Sequence, residues 1–173
     1  MEFWDIYDMD RIKQNRVIRR GDEFSEGEYH VVVHVCIFNS AGERLIQQRQ
    51  PFKDSWPNQW DLSVGGSAVT GDSSQEAAER ETEEELGLKI NLKNVRPHLT
   101  INFETGFDDI YLIEKEVNIE NLKLQQEEVQ SVKWASKEEI LSMIKKREFI
   151  PYYPSLIHLL FDIRKKYGSH QKV

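Results

Sequence analysis

The chain has 173 residues, of which 31% are charged and 39% are hydrophobic, and its formal net charge is -7. A chain of this length can bury the core of one domain, and it contains no repeat or extended linker, so we expect a single domain over residues 1–173. An acidic chain without a basic patch argues against binding of a nucleic-acid polymer, because long-range electrostatics disfavour polyanions.

Cysteine content and the N-terminus favour a cytoplasmic protein. Cys36 is the only cysteine and lies in an apolar run, so an intrachain disulfide is ruled out and a reducing compartment is favoured. The first eight residues are acidic and are followed by no long apolar stretch, so we expect neither a signal peptide nor a membrane span.

The predicted elements are mostly strands, which one helix interrupts and two helices follow. Residues 1–28 are polar and predict an N-terminal arm or an extra strand. The β-branched run 30–39, a turn at 39–42 and the segment 43–49 predict a hairpin. Further strands are predicted at about 60–65, 89–103, 109–117 and 128–134, and helices at about 136–146 and 154–167. This order predicts an α/β fold with a mixed β-sheet packed between helices.

The most informative segment is Gly66–Leu88, which joins a glycine-bounded turn to a short helix. Asp72, Ser73 and Ser74 are residue types that cap a helix start, so the helix should begin near Ser74. Good or fair helix formers follow, and Gly87 lies where a C-terminal glycine cap would end the helix. The segment therefore predicts a helix of about three turns.

Three glutamates of this helix fall on one face. Glu81, Glu84 and Glu85 are spaced i, i+3 and i+4, with Ala77 and Ala78 one turn earlier. Like charges at this spacing destabilise the helix by about 0.2–0.5 kcal/mol per pair, and a bound cation would offset this repulsion. Hard divalent cations prefer oxygen ligands such as these carboxylates. A solvated charge run is the alternative, but the alanines allow another backbone segment to approach this face. The pattern predicts a site for divalent metal and phosphate.

The segment resembles the Nudix box, the signature of the Nudix hydrolase superfamily, whose pattern is G-x5-E-x7-R-E-U-x-E-E-x-G-U with U a bulky aliphatic residue. Asp72 replaces the glutamate of the pattern with a shorter carboxylate, and Thr82 replaces an aliphatic residue. The resemblance implies a Nudix-type α/β/α sandwich and hydrolysis of a diphosphate linkage in a small-molecule substrate. The matching positions are Gly66, Arg80, Glu81, Glu84, Glu85, Gly87 and Leu88.

The resemblance also implies the residues of the site. Glu81, Glu84 and Glu85, together with the carbonyl group of Gly66, would bind Mg²⁺ or Mn²⁺. Arg80 would orient the glutamates, because a guanidinium binds carboxylates in a fork. Catalysis is then expected to depend on Glu84, Glu85 and Arg80.

Many family members use a further acid from outside the box. Glu104, Asp108 and Asp109 are candidates here, and we favour Asp109 as a catalytic residue because it directly precedes an apolar strand, where a loop returns towards the sheet. Glu127 and Glu128 are weaker candidates.

Two other functions are alternatives. The surroundings of Trp56 and Trp60 also resemble the isopentenyl-diphosphate isomerase branch of the superfamily. That branch needs a cysteine and a metal-binding histidine where this chain has Gly65 and Ser67, and His30 alone would not rebuild the site. The second alternative is a non-catalytic Nudix domain that binds a nucleotide or metabolite, although such domains commonly lose glutamates of the box. A homodimer is compatible with the sequence, but no motif demands one.

Overall fold

The computed structural model describes residues 2–171, so residues 1, 172 and 173 of the expected domain lie outside it. The strands in this range are β1 (Phe3–Tyr7), β2 (Lys13–Arg19), β3 (His30–Phe38), β4 (Arg44–Arg49), β5 (Trp60–Asp61), β6 (Val64–Ser67), β7 (Leu99–Phe103), β8 (Gly106–Glu114) and β9 (Val129–Ala135). The helices are α1 (Ser74–Leu86), α2 (Lys137–Lys145) and α3 (Pro154–Ile163), and Ile119–Asn121 forms a short 3-10 turn.

The main sheet is mixed and is built around β3. Strand β8 runs parallel to β3 from the pair His30 and Gly106 to the pair Phe38 and Glu114, and β7 pairs antiparallel with β8. The other edge of β3 is shared, because β6 pairs with residues 32–35 and β4 pairs with Phe38. Strands β5 and β9 extend the sheet from β4. The shared edge places the glycines of β6 against the middle of the sheet.

Helices cover both faces of this sheet. Because side chains alternate along a strand, Val33 and Val35 of β3 pack on the α1 side, whereas Cys36 and Phe38 pack on the side of α2 and α3. On the α1 side of the sheet, the helix contributes Ala77, Ala78 and Leu86 to the hydrophobic core. The predicted α/β/α sandwich with a mixed sheet is therefore confirmed.

No helix in the described range 2–171 is long and apolar enough to cross a membrane.

The N-terminal arm, for which the sequence predicts an arm or an extra strand, forms a hairpin of two strands. Strands β1 and β2 pair antiparallel in a separate two-stranded sheet. This hairpin is attached to the main body by a hydrogen bond from Thr70 N to Phe3 O of 2.8 Å. The Trp4 ring also stacks on His30 at the start of β3, with 4.5 Å between ring centroids. The arm is thus fixed beside the loop that leads into α1.

Several predicted boundaries need correction. A strand over 89–103 is wrong for residues 89–98, which form turns and irregular chain with Asn94 at a positive φ of 64°. The predicted strand 60–65 divides into β5, which pairs with β4, and β6, which pairs with β3. Between them, the Ser63 hydroxyl accepts a hydrogen bond from Ile37 N at 2.9 Å. Strand β8 begins before the predicted residue 109, and α3 ends before residue 167. The predicted strand at 128–134 and helix at 136–146 are confirmed within about one residue.

Candidate active site

The candidate site is organised by helix α1, which starts and ends where the sequence predicts. Ser73 caps it in a reciprocal capping box, because Glu76 N donates to the Ser73 hydroxyl and Ser73 N donates to the Glu76 carboxylate. Gly87 closes the helix with a left-handed φ of 64°. Thr82, which departs from the box pattern, donates its buried hydroxyl to the Ala78 carbonyl at 2.6 Å. The substitution at position 82 is therefore accommodated inside the helix.

Arg80 connects the helix acids to the preceding loop. Its Nε donates to Asp72 Oδ2 at 3.0 Å, so the shorter acid at position 72 still reaches the guanidinium. Nη1 donates to Glu81 Oε1 at 2.9 Å and to Glu84 Oε2 at 3.2 Å, and Nη2 donates to the Ser67 carbonyl at 3.0 Å. One planar guanidinium thus fixes three carboxylates relative to β6.

Glu81 and Glu85 are the two box glutamates that point inward. The Glu81 carboxyl group lies so close to Gly66 that a Cβ atom at position 66 would overlap it. Burial raises the pKa of Glu81 to about 7, although the Arg80 charge acts in the opposite direction. Glu85 is only 4% exposed, and burial followed by the Glu81 charge raises its pKa to about 8. Gln47 of β4 donates to Glu85 Oε2 at 2.9 Å.

Both carboxylates open on a small cavity of about 100 Å³. Glu84 does not line this cavity, because its side chain is half-exposed and reaches the other acids only through Arg80. The structure therefore brings Gly66, Glu81 and Glu85 together and leaves Glu84 at the outer side. The lining residues are Glu2, Arg20, Gly65, Gly66, Ser67, Glu81, Glu85 and Glu128.

Asp109 does not join this cavity. It is fully buried within β8, and its carboxylate accepts both terminal nitrogens of Arg11 as well as the hydroxyls of Ser74 and Thr100. Because β8 begins at Gly106, Asp109 lies inside a strand rather than at the end of a loop. Its side chain lines a separate cavity beside the first turn of α1. The geometric reason for favouring Asp109 is thus removed.

The other acids considered outside the box are placed differently. Asp108 hydrogen-bonds to His34 Nδ1 at 2.7 Å, and Glu104 and Glu127 are exposed. Glu128, the weaker candidate, lies at the cavity with Glu81.

The sequence interpretation missed Gln47, Glu2 and Arg20. Gln47 belongs to no recognisable sequence motif. The direction of its side chain towards the site depends on the pairing of β4 with β5 and β9. Glu2 and Arg20 belong to the arm, whose position no local pattern determines. The signal that pointed to Glu128 was only its place before an apolar strand.

Comparison with known proteins agrees with this geometry. The family model of the NUDIX domain matches residues 28–156. The chain belongs to the Nudix hydrolase family. An uncharacterized Nudix hydrolase from Listeria innocua is 45% identical over 170 residues, which are 98% of this chain and 99% of the relative.

Two further comparisons show how far the similarity extends. The crystal structure of DR0079 from Deinococcus radiodurans superposes with a TM-score of 0.74 at 23% sequence identity. The match covers 91% of this chain and 98% of DR0079, which supports the fold. An isopentenyl-diphosphate Δ-isomerase from Salmonella arizonae is 29% identical over 120 residues, which are 65% of this chain and 64% of the isomerase.

Nudix proteins generally use divalent metals, and the donor chemistry of this cavity fits such an ion. Glu81 and Glu85 supply hard oxygen donors, and a cation would offset the charges that burial now penalises. The buried Oε1 of Gln47 has no hydrogen-bond partner in the described part of the chain. Within residues 2–171, no three His, Cys, Asp or Glu side chains are already gathered around a common point. The fit therefore rests on the donor set rather than on a preformed cluster.

Proposed function

We propose that this Nudix hydrolase cleaves a diphosphate linkage in a small molecule, such as a nucleoside diphosphate linked to another moiety, by attack of water at phosphorus with Mg²⁺ or Mn²⁺. The observation that carries the proposal is the buried pair Glu81 and Glu85 beside Gly66, with Glu81 held by Arg80. A diphosphate presents crowded negative oxygens, so its hydrolysis needs local positive charge, an oriented water and a carboxylate that accepts a proton.

The residues take distinct roles in this proposal. Glu81 and Glu85, with the Gly66 carbonyl group, would hold the divalent cation, and Glu84 would support them through Arg80. A bound divalent cation would neutralise diphosphate oxygens and lower the pKa of water. Arg80 keeps the carboxylates in one orientation, so little reorganisation is needed when the substrate binds.

A further carboxylate is needed to accept the proton of the attacking water. We assign this role to Glu128 rather than Asp109, because Glu128 lines the same cavity as Glu81 and Glu85, whereas Asp109 lines a different one. Glu128 forms an ion pair with Lys53, which fixes the position of its carboxylate.

The size of the cavity limits what it can bind. A volume of about 100 Å³ is too small for a whole nucleotide. The site therefore holds the diphosphate part, and the linked group extends outside it. A homodimeric state and a cytoplasmic location are proposals from the sequence.

The isomerase alternative is disfavoured by the residues around Gly65. A Cβ atom at position 65 would lie 2.7 Å from the His34 ring, so a cysteine or histidine there would need the imidazole to move. Cys36, the single cysteine, is buried in the core on the α2 and α3 side. A purely binding domain is disfavoured because Arg80, Glu81 and Glu85 are retained in a connected arrangement.

The test is release of phosphate or nucleotide from a panel of diphosphate-linked compounds in the presence of Mg²⁺ or Mn²⁺. We expect cleavage of one compound class, lost on chelation and reduced at least about 100-fold in Glu85→Gln. Glu83→Gln is the matched control, because Glu83 is an exposed glutamate of the same helix that pairs with Lys89. Saturable binding without cleavage of any compound would contradict the proposed hydrolase activity.

A further inference from the structure

Arg20 is the one cationic side chain among the lining residues of the carboxylate cavity. The other charged residues that line it are Glu2, Glu81, Glu85 and Glu128. A diphosphate adds negative charge to a cavity whose wall is already acidic, so positive charge beyond that of a metal ion would favour its binding. Arg80 is committed to the carboxylates and the Ser67 carbonyl group.

The guanidinium of Arg20 has donors available for a ligand. Its hydrogen bond within the described residues goes from Nη1 to Glu2 Oε2 at 2.9 Å. The side chain is 58% exposed, and a guanidinium carries several further N–H groups in a rigid fork. The fork geometry matches two oxygens of a phosphate group. Arg20 can therefore keep Glu2 as a partner while it donates to an anion.

The N-terminal hairpin keeps this pair beside the cavity. Arg20 N donates to the Glu2 carbonyl group at 3.0 Å, and Trp4 Nε1 donates to Glu2 Oε1 at 2.6 Å. The hairpin is in turn held by Gly71 N, which donates to Asp5 Oδ2 at 2.9 Å in the loop before α1. Arg20, at the end of the hairpin, thus has a fixed location relative to Glu81.

We propose that Arg20 is a substrate-binding residue that donates hydrogen bonds to the diphosphate oxygens, and that Glu2 positions it at the entrance of the cavity. This inference rests on the proposed diphosphate hydrolysis. It gives the hairpin a function in substrate binding that lies outside the residues matched by the Nudix box.

The experiment compares Arg20→Ala, Arg20→Lys and Arg19→Ala in the full chain, by steady-state kinetics on the substrate found with the panel. Arg19 is the matched control, because it is the adjacent exposed arginine, pairs with Asp22 and does not line the cavity. We expect Arg20→Ala to raise KM about 10-fold to 100-fold with a much smaller change in kcat. Arg20→Lys should restore part of the loss, and Arg19→Ala should match the wild-type protein.

Glu2→Gln distinguishes substrate binding by Arg20 from a purely structural role of the Arg20 and Glu2 pair in holding the hairpin. A glutamine has only one acceptor oxygen for the two donors Trp4 Nε1 and Arg20 Nη1, so it weakens the positioning of Arg20 but leaves the guanidinium in place, and KM should rise less than in Arg20→Ala. Equal rises of KM in Arg20→Ala and Glu2→Gln would overturn the inference, as would equal KM values for Arg20→Ala and Arg19→Ala.

A binding measurement keeps the inference testable if no compound is cleaved. Calorimetry with methylenediphosphonate, a non-hydrolysable diphosphate, in the presence of Mg²⁺ should give a Kd about 10-fold or more weaker for Arg20→Ala than for Arg19→Ala. Weakened binding without turnover would support the role of Arg20 while contradicting hydrolysis. Equal binding by both variants would overturn the role of Arg20 alone.

Discussion

Gln47 of β4 donates its side-chain amide to Oε2 of Glu85 in α1, and the two atoms lie 2.9 Å apart in the protein interior. This hydrogen bond joins the sheet to the helix at the candidate metal site. It favours the ionised form of Glu85, against the burial that raises the pKa of this carboxyl to about 8. Gln47 therefore helps to keep Glu85 able to bind a cation.

Replacement of Gln47 should weaken the site through Glu85. In Gln47→Leu the Glu85 carboxylate loses its donor, so we expect weaker Mg²⁺ binding and a fall in kcat of about tenfold or more. Gln48→Leu is the matched control, because Gln48 donates to the Asn58 carbonyl group away from α1. Titration with Mg²⁺ and kinetics at saturating metal measure the effect, and equal metal affinity in the two variants would contradict it.

Replacement of Arg80 by lysine should loosen the acids although the charge is kept. A lysine ammonium group is a point charge that cannot serve Asp72, Glu81 and the Ser67 carbonyl group in one planar geometry. We expect kcat/KM of Arg80→Lys to fall about 10-fold to 100-fold, with Arg19→Lys unchanged. Retention of full activity by Arg80→Lys would show that only the charge at position 80 matters.

The stability of the metal-free protein should fall as the pH rises. The pKa values of Glu81 and Glu85 are raised to about 7 and about 8 from ordinary values of 4.5, so the folded protein holds protons that the unfolded chain has released. These groups are neutral in both states below pH 4.5, and their unfavourable burial as anions develops between about pH 4.5 and 8. The resulting loss is on the order of a few kcal/mol.

Metal should offset this loss, because a divalent cation binds the ionised carboxylates. The measurement is the Tm across this pH range with a chelator and with excess Mg²⁺. We expect the stabilisation by Mg²⁺ to increase with pH, and Glu85→Gln to flatten the metal-free profile. His34 also loses stabilising protonation as the pH rises, because its pKa is raised to about 9 beside Asp108 despite its burial. The comparison with Glu85→Gln separates the effect of the glutamate from that of His34. A metal effect independent of pH would contradict the assignment of the two glutamates.

Asp109 and Glu128 should respond in opposite ways to loss of charge. Asp109→Asn weakens the ion pair with Arg11, so we expect a loss of about 1–3 kcal/mol in the free energy of unfolding with kcat nearly unchanged. Glu128→Gln should instead lower kcat about 100-fold with little effect on stability. Denaturant unfolding and kinetics on both variants test this. A large loss of kcat in folded Asp109→Asn would restore Asp109 as a catalytic residue.

The helix of the Nudix box could be predicted from the sequence because its signals are local. Capping residues, helix propensity and the terminal Gly87 act within a few residues, and the i, i+3, i+4 spacing determines which glutamates share a face. The same local rules did not separate buried Glu85 from half-exposed Glu84, because that difference depends on how α1 packs against β3 and β6.

The sequence by itself determined the family, the layered α/β fold, the box helix and the acidic character of the site. Only the tertiary structure decided which residues from distant segments meet there, because strand register and side-chain alternation depend on long-range pairing. In β8 this alternation turns Asp109 towards Arg11 and Asp108 towards His34. The same long-range packing places Glu128 and the Glu2 and Arg20 pair at the cavity.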